Sequence, residues 1–165
     1  MDEGFINKDN NEDELEFLIR EAPKTYVLDA SVCMKWFSSE NEEYVEKASS
    51  IRIQHRDGKI FLVAPDLLIC EVANALSYNS LFDSEKVSKA VESLCKMDIK
   101  FVKPTLALLR EAINLRFLKK ITIYDAIYIA LAEYINVQCI TADKKLFDSV
   151  SDLGSVIFLD DYRII

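Results

Sequence analysis

Four acidic side chains occupy positions where a solvated charge is not expected, and two of them directly follow apolar runs. Asp29 comes immediately after the run 26–28, and Asp143 comes immediately after residues 139–142. In open parallel sheets, ligands bind outside the carboxyl ends of the strands. If both runs are strands of one such sheet, we expect Asp29 and Asp143 to face the same crevice.

The other two acids lie within apolar segments that have helical spacing. Glu71 falls in a helix predicted over 66–78, where Leu67 and Leu68 lie three to four positions before it on the same face. Asp125 falls in the segment 121–132, which is apolar nearly all round, as is typical of a buried helix. An ionised carboxylate in such surroundings is costly unless it is paired, hydrogen-bonded or bound to a metal.

Each acid also has a purely structural explanation. Asp29 or Asp143 could cap the helix that follows its strand, and Glu71 or Asp125 could pair with a buried arginine. However, arginine is scarce near these segments, and four inward carboxylates would repel one another. A divalent cation removes that repulsion, and oxygen ligands without His or Cys favour Mg²⁺ or Mn²⁺ over Zn²⁺. Because such acidic sites commonly serve phosphoryl chemistry, the sequence predicts a metal-dependent phosphodiesterase.

Short apolar runs alternate with helical segments along the chain. This alternation predicts an α/β fold with a central, mostly parallel sheet. The predicted strands cover 26–28, 60–63, 100–102, 137–141 and 156–159, and the predicted helices cover 31–37, 41–55, 66–78, 84–96, 105–118, 123–134 and 143–150.

The negative charge is concentrated near the N-terminus. The formal net charge is −8, and residues 1–24 carry −5 of it, from eight acids and three bases. We therefore expect a solvated acidic extension over 1–24, with at most one short helix at Asp13–Glu21. The remaining residues, 25–165, are expected to form a single domain.

Composition disfavours several other classes of protein. The sequence has no apolar secretory segment near its start and no run long enough to span a membrane. The four cysteines form no C-x-x-C pair, and we expect buried, reduced thiols in a cytoplasmic protein. His55, the only histidine, falls in a predicted polar surface turn, which disfavours a Ser/His/Asp triad. The glycine-rich nucleotide-binding motifs are absent.

Four segments of the chain occur together in the order found in PIN-domain proteins. They are 27–37, 65–76, 123–132 and 140–146, so that the chain from about Thr25 to Asp160 resembles this family, and most of all its VapC-type toxin endoribonucleases. The resemblance implies a three-layer α/β/α fold, with Asp29, Glu71, Asp125 and Asp143 holding one or two Mg²⁺ or Mn²⁺ ions. It further implies cleavage of single-stranded RNA by metal-activated water, a homodimer, and neutralisation by an antitoxin protein.

Further residues could support the acids or bind the substrate. Ser31 and Thr141 match hydroxyl positions that often support the acids in this family, and Asn74 follows Glu71 by one helical turn, where it could reach a metal-bound water or a phosphate. A cap or turn role explains these three residues equally well. Three lysines flank the predicted crevice and could contact phosphates, although a solvated helix end is their commoner fate: Lys35, Lys144 and Lys145.

Two other functions stay open at this level. An intact fold could serve a catalytically inactive RNA-binding or scaffold protein, or a housekeeping RNA-processing nuclease. The 24 residues before the first predicted strand also depart from the resemblance, because family toxins usually begin almost at that strand. The extension could be inert, could join a dimer, or could lie near the site as a mimic of a polyanion.

Overall fold

The computed structural model describes residues 24–37 and 43–164. The helix predicted at Asp13–Glu21, together with the acidic extension up to residue 23, lies outside the described residues. The same holds for positions 41–42, where the second helix was predicted to begin.

The described residues form five β-strands, seven α-helices and two short 3₁₀ helices. In chain order they are β1 (Lys24–Leu28), α1 (Ala30–Met34), α2 (Val45–Arg56), β2 (Ile60–Pro65), α3 (Leu67–Ser77), α4 (Ser84–Cys95), β3 (Lys100–Val102), α5 (Leu106–Lys119), α6 (Ile123–Tyr134), β4 (Gln138–Thr141), α7 (Lys144–Val150), a 3₁₀ helix (Ser151–Leu153), β5 (Val156–Phe158) and a second 3₁₀ helix (Leu159–Asp161).

The strands pair in the order β3-β2-β1-β4-β5, and every pairing is parallel. Val27 at the centre of the sheet is in register with Val63 on one side and Cys139 on the other. The chain adds β2 and β3 on one side of β1 and then crosses to β4 on the other side. The boundary between β1 and β4 is therefore a topological switch point, where open α/β sheets bind their ligands. The predicted α/β class is confirmed, with an all-parallel sheet.

Helices cover both faces of the sheet. Crossovers between parallel strands are right-handed, which places α1 to α4 on one face and α5 to α7 on the other. On the first face α2 packs against β2, and on the second face α6 packs against β1, β2 and β4. This is the three-layer α/β/α arrangement predicted from the sequence.

Helix α6 lies deepest in the core, as its nearly continuous apolar sequence predicts. Thr122 caps its N-terminus by accepting a hydrogen bond from the Asp125 N–H, and every residue from 126 to 132 is buried. Burying one Leu or Ile side chain stabilises the fold by about 1.5–3 kcal/mol. The helix that carries Asp125 is thus anchored on the sheet.

Several predicted boundaries differ from the structure by one to four residues, and two of them have a clear physical reason. The second strand continues to Pro65 and the next helix begins at Leu67, because Pro65 pairs with Val102 at the strand end instead of entering the helix. The first helix ends at Met34, where the Lys35 N–H turns to the Val32 carbonyl in a tighter i→i−3 bond of 3.2 Å.

The cysteines are all free, but only two of them are buried. Cys33 and Cys139 lie in the core, whereas Cys70 and Cys95 are exposed, so the expectation of four buried thiols is wrong. Cys70 lies on the outward face of α3, whose inward face is formed by Leu68 and Val72.

His55 also differs from its prediction as a surface turn residue. It lies in the last turn of α2 and is partly covered, with Nε2 at 2.8 Å from the Met97 carbonyl and Nδ1 at 3.4 Å from the Ile60 carbonyl. The segment before β3 folds over the ring, a contact that local sequence cannot predict. None of the helices in the described ranges is both long and apolar enough to cross a membrane.

Candidate functional site at the carboxyl end of the sheet

Asp29 is held at the carboxyl end of the central strand. Its backbone N–H donates to the Ile140 carbonyl at 3.1 Å, which continues the pairing of β1 with β4 by one residue. Its side chain caps α1 by accepting from the Ser31 N–H at 3.3 Å. The residue is only 4 % exposed, so a short helix and the sheet edge together fix this carboxylate at the switch point.

Two hydroxyl groups clamp one oxygen of Asp29. Thr141 Oγ1 donates to Asp29 Oδ2 at 2.9 Å, and Ser31 Oγ donates to the same oxygen. Each hydroxyl also accepts a backbone N–H, from Ala142 to Ser31 at 2.8 Å and from Asp143 to Thr141 at 3.0 Å. Each hydroxyl thus accepts one backbone N–H and donates its own proton to Asp29.

Burial dominates the electrostatics of Asp29. It raises the pKa of this carboxyl above its usual value, and the negative charge of Asp125 raises it further, while the hydrogen bonds from Ser31 and Thr141 oppose the shift. Within the described residues no ion pair reaches Asp29, and the cost of its charge is offset only by hydrogen bonds.

Glu71 projects from α3 and is held by a tyrosine of α6. The Tyr128 hydroxyl donates to Glu71 Oε2 at 2.5 Å. Partial burial raises the pKa of Glu71 to about 7, the Tyr128 hydrogen bond works against that rise, and the charges of Asp29 and Asp125 add to it. Glu71 therefore interacts electrostatically with both Asp29 and Asp125.

Asp125 exchanges two hydrogen bonds with Thr122, the N-cap residue of α6. The Thr122 hydroxyl donates to Asp125 Oδ2 at 2.7 Å and accepts from the Asp125 N–H at 3.1 Å. The side chain is partly exposed. Because its charge raises the pKa of both Asp29 and Glu71, these three acids form one electrostatic cluster.

Asp143 stands apart from this cluster. It is exposed and caps α7 by accepting from the Leu146 N–H at 2.9 Å, which is the structural role that its position also allowed. Its charge is not among the causes that shift the pKa of Asp29 or Glu71. The structure thus brings three of the four predicted acids together electrostatically and leaves Asp143 at the rim.

The remaining candidate residues differ in their exposure and in whether their charge is already paired. Asn74 is exposed on α3. Lys35 is buried, with 8 % of its surface exposed, and Lys145 is exposed. Lys144 pairs with Asp148 at 2.6 Å and lies over two aromatic rings, so its charge is partly satisfied within α7.

The donor chemistry of the cluster suits a hard divalent cation, although the ligands are not drawn together around one point. In the ranges 24–37 and 43–164, no group of three or more His, Cys, Asp or Glu side chains is close enough to enclose a metal ion. Each clustered carboxylate nevertheless uses a single oxygen for its anchoring hydrogen bonds: Asp29 Oδ2, Glu71 Oε2 and Asp125 Oδ2.

The second oxygen of each of these carboxylates accepts no hydrogen bond from the described residues, and none of the three is a buried unsatisfied atom. These oxygens therefore retain contact with solvent at the crevice. A cation bound by them would offset the mutual repulsion that adds to the effect of burial in raising the pKa values of Asp29 and Glu71. The residues fit such an ion in donor type and charge.

Tyr128 was missed by the sequence reasoning. It lies three positions after Asp125 in a helix whose neighbouring residues are all buried. A buried tyrosine hydroxyl needs a partner, and this requirement was the available signal. The identity of the partner, Glu71, depends on the packing of α6 against α3.

Three comparisons with known proteins bear on the family. The family model described as the PIN domain matches residues 26–153. The crystal structure of PAE2754 from Pyrobaculum aerophilum is similar with a TM-score of 0.58 and 22 % identity, over 84 % of this chain and 92 % of that one. The crystal structure of FitAcB from Neisseria gonorrhoeae is similar with a TM-score of 0.55 and 15 % identity, over 83 % of this chain and 99 % of that one.

Comparison with the curated proteins finds no match. At 22 % and 15 % identity, the two solved structures support the fold assignment alone. The family model, however, spans four of the five strands, from residue 26 within β1 to residue 153 just before β5, and it includes every acid of the candidate site. The chain belongs to the PIN domain family.

Proposed function

We propose that the protein is a metal-dependent endoribonuclease that cleaves single-stranded RNA with a metal-activated water. PIN domains are generally nucleases and typically use divalent metals. The observation that carries the proposal is the arrangement of Asp29, Glu71 and Asp125 at the switch point of the sheet, each with one anchored and one open carboxylate oxygen.

Asp29, Glu71 and Asp125 would hold the cation, with Asp143 completing the set from the rim. The bound ion would supply a Lewis acid that lowers the pKa of water and offsets charge on the phosphodiester. The protein's own contribution is to orient the carboxylates before substrate binds. Ser31 and Thr141 do so for Asp29, as Tyr128 does for Glu71.

The finer assignment is a VapC-type toxin that an antitoxin protein neutralises in the cytoplasm. Support comes from the four ordered segments of the sequence and from the free thiols, which are typical of cytoplasmic proteins. We retain the division into an acidic extension, predicted over 1–24, and a nuclease domain, predicted over 25–165, with Lys24 assigned to β1 of the domain. The first alternative, an RNA-processing nuclease, would use the same site and differ from a toxin only in its substrate. The second alternative, an inactive scaffold, would leave the open carboxylate oxygens without a role.

A homodimer is part of the same proposal. Leu106, Ile113 and Phe117 lie on one face of α5 at spacings of seven and four residues, with 65 %, 46 % and 75 % of their surfaces exposed. Large apolar side chains that are exposed together on one helix face mark interaction surfaces. A second copy of the chain is the partner that we propose for this face.

The testing experiment is a digest of a total RNA pool with Mn²⁺, with the cleaved ends mapped for the wild type and for Asp29→Asn. We expect specific ends with the wild type and none with the variant. Asp83→Asn is the matched control, because Asp83 also caps a helix, α4, and asparagine caps equally well. Equal cleavage by all three proteins would refute the site, and no cleavage by any, together with no Mn²⁺ effect on thermal stability, would favour the scaffold.

A further inference from the structure

A basic cavity of about 410 Å³ lies on the α1–α4 face of the domain, away from the acidic cluster. It is bounded by the outer side of α2, by Trp36 and by residues 96–98, which precede β3. Arg56 and residues 96–98 lie at the amino ends of β2 and β3, whereas the candidate nuclease site lies at the carboxyl ends of the strands. The cavity is therefore a separate feature.

The walls of the cavity are fixed by hydrogen bonds. The Trp36 indole N–H donates to the Ala48 carbonyl at 2.7 Å, which ties the end of α1 to α2. His55 places one ring nitrogen 2.8 Å from the Met97 carbonyl. These contacts hold α2 and the segment before β3 at a set separation, so the cavity is a built part of the fold.

Positive charge dominates the lining of this cavity. Arg52, Arg56 and Lys96 contribute three cations against the single acid Asp98. Arg56 is partly neutralised by Asp57 at 2.9 Å. Neither Arg52 nor Lys96 forms an ion pair with any of the described residues. Two exposed cations thus lack an anionic partner within the folded domain.

The chain enters the domain next to this cavity. Lys24, the first described residue, is in register with Ile60 on the neighbouring strand, about 5 Å away. The Ile60 carbonyl in turn lies 3.4 Å from Nδ1 of His55, which lines the cavity. Ile60 and the His55 side chain are thus the two links between Lys24 and the basic lining. The 23 residues that precede Lys24 join the domain close to the cavity.

Those preceding residues carry the complementary charge. Positions 9–16 contain five acids and no base: Asp9, Glu12, Asp13, Glu14 and Glu16. Eight residues separate position 16 from position 24 and span at most about 28 Å when fully extended, which reaches the cavity. The four acids of the nuclease site, Asp29, Glu71, Asp125 and Asp143, offer this segment no cation, and those of them that are ionised repel it.

We propose that the acidic segment 9–16 docks on the basic cavity formed by Arg52, Arg56 and Lys96 in the same chain. This assigns a function to the N-terminal extension: it is an intramolecular anionic ligand that covers a cationic face of the domain. The contact is electrostatic and partly exposed, so it weakens as ionic strength rises and the Debye length falls below about 10 Å. It does not depend on nuclease activity.

Zero-length carbodiimide cross-linking of the full chain tests the proposal, because the reagent joins a carboxylate to a lysine amine only when the two are in contact. We expect Lys96 to be joined to acids of 9–16. In an equal mixture of ¹⁴N- and ¹⁵N-labelled protein, the joined peptides should carry matching labels, and their yield should fall in high salt. Cross-links from 9–16 to Lys103, Lys144 or Lys145 at the carboxyl edge would instead place the extension at the nuclease site and overturn the proposal.

Charge reversal provides the second arm. Arg52→Glu with Arg56→Glu should lower the Lys96 cross-link yield several-fold, while Arg110→Glu on the exposed side of α5 should not change it. Circular dichroism checks that each variant folds, and Lys96 remains available in all of them. An unchanged yield in the double variant overturns the proposal. A second result would also overturn the proposal. If these cross-links are absent and the double variant binds a single-stranded RNA oligonucleotide more weakly than the wild type, RNA is the occupant of the cavity.

Discussion

The Tyr128 hydroxyl donates a 2.5 Å hydrogen bond to Glu71 Oε2, and this contact links α6 to α3 across 57 positions of sequence. The bond lies between two helices on opposite faces of the sheet, at the edge where the strands end. It favours the ionised form of Glu71 against the burial and the neighbouring charges that raise its pKa to about 7.

Replacing Tyr128 with phenylalanine removes this donor. We expect the pKa of Glu71 to rise further, so that the acidic limb of the pH–rate profile moves to higher pH, because the lost hydrogen bond had lowered that pKa. The free energy of unfolding should fall by about 1 kcal/mol, typical of one lost hydrogen bond. Urea denaturation and cleavage rates across pH 5–9 measure both effects.

Tyr162→Phe is the matched control for this variant. The Tyr162 hydroxyl donates to Gln54 Oε1 at 3.2 Å in the core, outside the acidic cluster. Its loss should lower stability by a similar amount and leave the pH–rate profile unchanged. A shifted acidic limb in both variants, or in neither, would contradict the role assigned to Tyr128.

The metal-free protein should lose stability as pH rises from 4.5 to about 7. A carboxyl whose pKa is higher in the folded than in the unfolded state binds more protons when folded, so the free energy of unfolding decreases as pH rises through that window. Glu71 sets the window, and the raised pKa of Asp29 acts with the same sign. Melting temperatures in EDTA at pH 5 and pH 8 measure the slope.

Glu71→Gln should flatten this dependence, since the amide does not titrate. Mn²⁺ should raise the melting temperature of the wild type more at pH 8 than at pH 5, because protons and the cation compete for the same oxygens. Glu92→Gln, at an exposed position of α4, serves as the control and should keep the wild-type slope. If the melting temperature in EDTA instead rises with pH, the pKa values of Glu71 and Asp29 are not raised by folding, and the prediction is wrong.

Thr141 should matter for metal affinity more than for folding. Thr141→Val removes the hydroxyl that holds Asp29 Oδ2 at 2.9 Å and leaves the Asp143 N–H without its acceptor. We expect the affinity for Mn²⁺ to drop about 10–100-fold, the usual effect of losing a residue that orients a ligand. Isothermal titration with Mn²⁺ checks this, and Thr141→Ser, which restores a hydroxyl, should recover most of the affinity.

Local patterns in the sequence were sufficient for the strand–helix order and for the positions of the four acids. Asp29 and Asp143 follow strands, and Thr122 caps α6, because each of these features depends on neighbours within a few residues. The assignment of all four acids as metal ligands stays a prediction.

Features that depend on tertiary packing could not be predicted from local sequence patterns. The partner of Tyr128, the cover over His55 and the exposure of Cys70 all depend on which helix faces lie against one another. The grouping of Asp29, Glu71 and Asp125 apart from Asp143 likewise follows from the direction in which each side chain projects from its element. Spacing along the chain does not encode these directions.

The exposed face of α5 gives the test of self-association. Phe117→Asp places a charge at the C-terminal end of the apolar stripe that includes Leu106 and Ile113, and a desolvated, unpaired charge in an interface is strongly unfavourable. We expect sedimentation velocity to show a dimer for the wild type and a monomer for the variant at micromolar concentration. Tyr78→Asp is the matched control, since Tyr78 is an aromatic residue 85 % exposed at the end of α3 and should leave the dimer intact. A wild-type monomer, or a dimer that survives Phe117→Asp, would exclude this face as the contact between two copies.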